Sequence, residues 1–478
     1  MRPKPSPYRT ASSPKMKIDN NVTIIDKPPR RFLKPAHIIS LGFLSVILLG
    51  TFFLSLPVSN KDGGWLSFTD SLFTATSAVC VTGLAVVPTA PTFTGFGQAV
   101  MLILIQTGGL GLMTLSTLVL MLLRRKITLK DRLVLTEALN RDETNGVVRL
   151  VRRILVMTVL IEAVGAALLL PPFVMQNGAA GVWQAVFTSV SAFCNAGFDL
   201  FGTASGPYVS LTGYVSSVTV SVTVMLLIVI GGIGFSVISE IFSFRFRFSR
   251  LSLHAKLALI VTASLILFGF LFFIIAEQNA SLSGLNAGDK VMGAFFLSVT
   301  ARTAGFNTVD LTAMHPASRA VMMGLMFIGA SPGSTGGGIK TTTFAIFLFM
   351  TICGFKGSDE LVIMKRNIKT KTAYKSVTVV VTGVVLVLGL TVLLLFTERE
   401  NLTAVGLYSL DYIMFEAFSA FGTVGVSCGI TPYLSAVGKF AVAFVMFCGR
   451  VGPLTIGVMF VAKHTELLRY PDSSLMIG

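Results

Sequence analysis

Four stretches of this chain repeat one pattern: FTATSAVCVTGL (73–84), FTSVSAFCNAGF (187–198), FFLSVTARTAGF (295–306) and FEAFSAFGTVGV (415–426). Each sets a Phe ten residues before a Gly, pairing Phe73 with Gly83, Phe187 with Gly197, Phe295 with Gly305 and Phe415 with Gly425. The glycines are 114, 108 and 120 residues apart, which is the mark of an internal repeat. Each stretch is too short to cross a bilayer and too apolar for a solvent loop, as a re-entrant helix would be. Long apolar runs flank every copy, near 36–58, 96–123, 154–175, 211–242, 257–276, 316–355, 376–397 and 434–462.

The expected fold is therefore an all-α integral membrane protein with eight transmembrane helices and four re-entrant pore helices. A hydrophobic fraction of 53% with 13% charged residues agrees. The expected boundaries are a polar basic arm at 1–35, repeats at 36–123, 149–242, 253–355 and 376–462, and a tail at 463–478. Two full crossings per unit return the chain to its starting side. The four units then run parallel as M1–P–M2 repeats, and parallel copies can ring a central pore with pseudo-fourfold symmetry. Inverted-repeat carriers need an odd number of crossings per repeat.

The net charge of +16 does not imply nucleic acid. With these spans, 30 of the 38 Lys and Arg fall on one side, which is the positive-inside rule and puts both termini in the cytoplasm. The five cysteines form no C-x-x-C pair and the four histidines lie far apart, so there is no zinc pattern. No organic cofactor is expected on this chain. Cys80 and Cys194 read as small packing residues.

A dehydrating cation pore needs a ring of carbonyl oxygens, and glycine adopts the unusual backbone dihedrals that aim them inward. The candidate filter is Val81, Thr82 and Gly83; Asn195, Ala196 and Gly197; Thr303, Ala304 and Gly305; Thr423, Val424 and Gly425. One such triplet alone would be a tight turn. Four in register, each after a re-entrant helix aiming its negative end at a cation, make a filter.

GASPGSTGGGIKTTTF (329–344) interrupts the sixth span and invites a nucleotide-loop reading. A Walker loop needs Lys directly after its second Gly, but Ile339 stands between Gly338 and Lys340. An ATP-hydrolysing enzyme would also need a strand before the loop and a magnesium carboxylate. The expected role is a gate: Gly333, Ser334, Thr335, Gly336, Gly337, Gly338 and Lys340 obstruct the ion path, and Arg450 in mid-span latches them. Arg302 reads as a buttress of filter three, against Glu416 as one pairing. Asp199 and Asp310 either concentrate cations at the outer mouth or are solvated loop carboxylates. Glu162 and Glu240 receive no role. The pairs Gly108-Gly109 and Gly231-Gly232 read as close helix contacts. A secondary cation carrier with a discontinuous-helix site is the alternative reading.

TSAVCVTGL, SVSAFCNAGFDLFG, TARTAGFNTVD and FSAFGTVGVS resemble the four filter motifs of the Trk/Ktr/HKT superfamily of potassium transporters. IQTGGLGLMTL, GGIGFSVISE and GASPGSTGGGIKTTT resemble that family's second helices, and the likeness covers roughly 36–478. The Trk branch carries an additional N-terminal helix pair, for which the polar residues 1–35 are no counterpart. Gly83 stands where the plant-type branch often has Ser. The nearest branch is the bacterial Ktr membrane subunit (KtrB). The resemblance implies potassium uptake through the filter residues, with sodium as an activator, across the bacterial plasma membrane. It also implies a homodimer seated on a cytosolic RCK-type ring that binds ATP or ADP. The long arm from Met1 to Arg31 is a departure for which the resemblance supplies no role.

Overall fold

The computed structural model describes residues 35–111, 147–203, 206, 208–244, 247–357, 360–453 and 455–456. The described residues from Pro35 onward belong to one compact unit. The arm 1–34, the later half of the span at 96–123, the basic Arg124-Arg125-Lys126, Arg245 and the tail 463–478 lie outside the described residues.

Four long helices organise the rest: α1 (Pro35–Ser55), α4 (Val147–Asn177), α8 (Leu253–Ala276) and α12 (Thr370–Thr397). α12 is rich in valine, a modest helix former in water, but a bilayer forces the backbone to bond internally. These four are long and apolar enough to cross a membrane, and 22–33% of each spanning window is buried. Their outward faces carry Leu48, Phe52, Leu160, Leu267, Leu388 and Val392, all exposed, as a lipid-facing surface requires.

Each long helix packs against a short one that leads into a repeated glycine stretch: α2 (Phe68–Cys80), α5 (Ala180–Phe193), α9 (Ala287–Thr300) and α13 (Leu410–Gly422). The short helices are buried along most of their length. Phe73, Phe187 and Phe415 are 0–1% exposed, while Phe295 is 39% exposed and its neighbour Phe296 takes the core position. In the third copy the helix has rotated by one residue.

The helices that follow the glycine stretches are α3 (Gly95–Leu110), α6 (Val218–Ile233), α10 (Pro316–Phe327) and α14 (Ala436–Val451). The span expected at 211–242 is not one straight helix. α6 stops before Gly234, and α7 (Phe235–Ser243) leaves at 96°. Gly234 has φ +105°, and its counterparts Gly111 and Gly452 have φ +80° and +94°, a region that favours glycine. α10 ends at Phe327 and α11 (Thr341–Phe355) resumes after a non-helical stretch.

Four contacts tie the start of one following helix to the next short helix. Trp183 Nε1 donates to Gln98 Oε1 at 2.8 Å, and Ser216 Oγ donates to Asp289 Oδ2 at 2.7 Å. Arg319 pairs with Asp411 at 2.7 Å and Lys439 with Asp70 at 2.7 Å. The last contact joins residues 369 apart, so these contacts run around the molecule in chain order and close on α2, the first of the short helices.

Candidate functional site: a glycine ring and the loop beneath it

Each short helix ends in a left-handed residue two positions before its glycine: Val81 (φ 57°), Asn195 (φ 60°), Thr303 (φ 66°) and Thr423 (φ 50°). Such φ values are uncommon for β-branched residues. The next amide in each copy bonds back into the helix: Thr82 N to Ser77 O at 2.8 Å, Ala196 N to Ser191 O at 2.7 Å, Ala304 N to Thr300 O at 3.1 Å, and Val424 N to Ser419 O at 2.9 Å. The side chains of these same Ser and Thr residues add a second tie. Ser77 and Ser419 accept from the amides of Gly83 and Gly425 at 3.1 and 3.0 Å. Ser191 and Thr300 donate to the carbonyls of Phe198 and Phe306 at 2.7 and 2.5 Å. Sequence reasoning missed these four residues. In three copies the signal was present, as a Ser four residues after the Phe.

The four glycines meet in one ring. A Cβ on Gly83 would strike the Ala196 carbonyl, and one on Gly197 would lie 2.6 Å from Gly305 Cα. One on Gly305 would lie 2.6 Å from Val424 O, and one on Gly425 would strike Thr82 O. Each glycine therefore faces the next copy's backbone, and the fourth faces the first. Eight of the twelve candidate filter residues, the four glycines with Thr82, Ala196, Ala304 and Val424 before them, come together in this ring, while Val81, Asn195, Thr303 and Thr423 form the turns that lead into it. Above it opens a cavity of about 280 Å³, lined by the four glycines and by Asp199, Asp310, Tyr208, Ser427 and Tyr433. Asp199 is half-buried, and burial pushes its carboxyl up to about 6 although the Phe201 amide bonds it. Asp310 is exposed.

Below the ring lies the stretch between α10 and α11. Gly336 abuts Thr303, and Gly337 donates its N–H to Thr423 Oγ1 at 3.0 Å. Thr335 Oγ1 donates to Phe193 O at 3.2 Å, and its amide to Gly231 O at 3.3 Å. Gly333 O accepts from Phe235 N at 2.9 Å, so the loop supplies the acceptor that the helix break at Gly234 requires. Ser334 Oγ folds back on Ser331 O at 2.6 Å. Gly338 has φ +65° and turns the chain towards α11. Lys340 Nζ donates to Gly336 O at 2.6 Å and Gly337 O at 3.3 Å, clasping its own loop.

Arg450 reaches across with Nη1 on Thr335 O and Nη2 on Gly108 O. The loop thus touches the second, third and fourth glycine-stretch turns or their short helices directly, and is joined through Arg450 to α3, which follows the first. The Arg302–Glu416 pairing expected above is not what forms. Arg302 Nη2 donates to Gly329 O at 3.1 Å, while Glu416 accepts from Ser427 at 2.6 Å and from Thr431. Arg302 turns down towards the loop, and Glu416 is satisfied by hydroxyls of its own outer turn.

Gly108, Gly231 and Gly449 each press against the end of a short helix, where a Cβ would strike Val79 O, Phe193 O and Phe421 O respectively. These are close contacts, as expected of Gly108 and Gly231. Three residues later each helix ends at a second glycine, which was not expected. The recurring G-x-x-G of GGLG, GGIG and GRVG was the available signal. Glu162 accepts from Gln106 Nε2 at 3.2 Å beside Cys194, behind the second turn. Glu240 caps Ser252 at 3.1 Å, away from the ring.

The model of the TrkH cation transport protein family matches residues 26–467. The potassium/sodium uptake protein NtpJ of Enterococcus hirae is 39% identical over 462 residues, covering 96% of this chain and 100% of that one. The Ktr system potassium uptake protein B of Bacillus subtilis is 40% identical over 448 residues, covering 93% and 97%. The crystal structure of the potassium transporter TrkH from Vibrio parahaemolyticus superposes with a TM-score of 0.69 at 16% identity, covering 91% of this chain and 86% of that one, a likeness of fold. The chain is an integral membrane protein and belongs to the TrkH/Ktr family of cation transport proteins.

Proposed function

We propose that this chain takes up potassium across the bacterial plasma membrane through a channel-like pore of four parallel M1–P–M2 units, with eight crossings and both termini cytoplasmic. The observation that carries the reading is the ring of Gly83, Gly197, Gly305 and Gly425, each facing the next copy's carbonyl. A ring of backbone oxygens replaces an ion's hydration shell. The ions bound are those of the filter triplets, and Asp199 and Asp310 raise the local cation concentration above them. The names of the relatives support potassium as cargo, with sodium an activator or a second transported ion.

The loop from Gly333 to Lys340 is the gate. It sits against the inner ends of filters three and four, where a mobile segment closes the ion path. Arg450 holds it through the Thr335 carbonyl. The protein works as a homodimer on a cytosolic RCK-type ring that binds ATP or ADP, docked on basic loops that include Arg247, Lys365 and Arg366. The deciding experiment is radiotracer potassium uptake in a cell deficient in potassium uptake, with and without sodium and with and without a co-expressed RCK subunit. Uptake that saturates at the slow turnover of a rocking carrier would overturn the pore.

A further inference from the structure

Arg302 sits one residue before the Thr303 turn and is 6% exposed. Its Nη2 holds Gly329 O, where the broken helix gives out. Its Nη1 is buried and finds no acceptor among the described residues, and neither of the ion pairs described includes it. A buried guanidinium N–H without an acceptor is costly, and more so at membrane depth. Thr262 Oγ1 on α8 is likewise buried and without a protein partner among the described residues. Both residues line one small cavity, together with Ile228, Gly232, Val299 and Ala330. Its volume of about 10 Å³ is the least that holds one water molecule, and leaves no space for a second.

The geometry points to a single structural water in this cavity, bridging Arg302 Nη1 to Thr262 Oγ1. The occupant must accept from the guanidinium, and the only other polar side chain in the lining is a hydroxyl. Water meets both demands: its oxygen accepts from Nη1 and one of its hydrogens is donated to Thr262 Oγ1. A polyatomic anion is too large. The bridge anchors Arg302 to α8, and Arg302 in turn joins filter three to Gly329 and Ala330, the upstream hinge of the loop. Arg302 is then a positioning residue that holds the hinge from one side, as Arg450 holds Thr335 from the other. This role rests on the gate reading given above; the water site does not.

The test is Thr262→Val, which keeps the volume and removes the hydroxyl, beside Thr262→Ser, which restores it. A high-resolution density map of the parent should show a peak within hydrogen-bonding reach of both atoms, lost in Thr262→Val. Amide exchange over residues 328–340 should quicken in the valine variant and return to the parental rate in the serine variant. Potassium flux in Thr262→Val should rise about tenfold, as the loss of one charge-assisted hydrogen bond allows. A parental map with no peak overturns the water, and so does a site that takes up bromide with an anomalous signal. Unchanged exchange in Thr262→Val overturns the hinge role. Unchanged flux, with the peak and the faster exchange both present, overturns the gate reading and leaves the water in place.

Discussion

Replacing Gly305 by Ser probes the ring at its third corner. The backbone there has φ +83°, and a Cβ would lie 2.6 Å from Val424 O, where ordinary contacts lie at 3.4–4 Å. That carbonyl belongs to the neighbouring glycine stretch, so either it yields by the better part of an ångström or Gly305 leaves its φ. Holding a non-glycine residue in such a region costs about 1–3 kcal/mol. Released as a misaimed carbonyl, that cost acts on the ion the ring fits best. Each 1.36 kcal/mol is a factor of about ten, so the preference for potassium over sodium should fall by about tenfold or more. The fold should survive, because the lesion is confined to one turn while α9 and α10 keep their packing. The assay is competitive uptake of labelled rubidium against sodium, in cells whose membranes hold parental amounts of protein. A selectivity ratio unchanged at parental expression refutes the ring as the filter.

Four further outcomes follow from the same geometry. Arg450→Gln, or deletion of 336–338, should raise potassium flux and loosen its dependence on the nucleotide-bound ring while selectivity stays put; variants no faster than the parent would remove the loop as gate. Burial raises the Asp199 carboxyl to about 6, so its negative charge is present above that pH and lost as external pH falls through it; uptake should drop over that interval, and Asp199→Asn should flatten the profile. Asp70→Asn leaves the largely buried Lys439 without its partner, and the thermal midpoint in detergent should fall by an amount equivalent to about 3 kcal/mol; an unshifted midpoint would make the contact incidental. Reversing Arg247, Lys365 and Arg366 together should abolish co-purification with the RCK ring, and salt should weaken the parental complex as the Debye length falls from about 10 Å at 0.1 M to about 3 Å at 1 M; salt-indifferent assembly argues for apolar docking.

The sequence made some of this legible and hid the rest for identifiable reasons. The long helices α1, α4, α8 and α12 announce themselves because bilayer thickness imposes a length and an apolar composition. The glycine register was readable because all four copies keep their spacing. The left-handed turns at Val81, Thr303 and Thr423 were not, because β-branched residues argue against that conformation; hydrogen bonds from the following amides into the helix ends impose it. The helix ends at Gly111 and Gly234 were hidden because each follows a glycine that is already explained by close packing. Only the loop, whose Gly333 O accepts from Phe235 N, reveals why the second of them is tolerated. The direction of Arg302 was unreadable too, since its target is a backbone carbonyl with no side-chain signature.

The Lys439–Asp70 contact carries a consequence for how the molecule is made. Asp70 lies in the first short helix to leave the ribosome, and its partner arrives 369 residues later. Until then Gly83 has Gly197 on one flank and no Gly425 on the other, so the first corner waits with its carbonyls exposed to whatever fills the nascent bundle. The first three glycine turns can associate while synthesis continues, but their circle is open. Closing the circle is therefore a long-range event, which waits for the fourth glycine turn and for Lys439 beyond it. Quality control of this protein has one late event to monitor, the arrival of α14 beside α2.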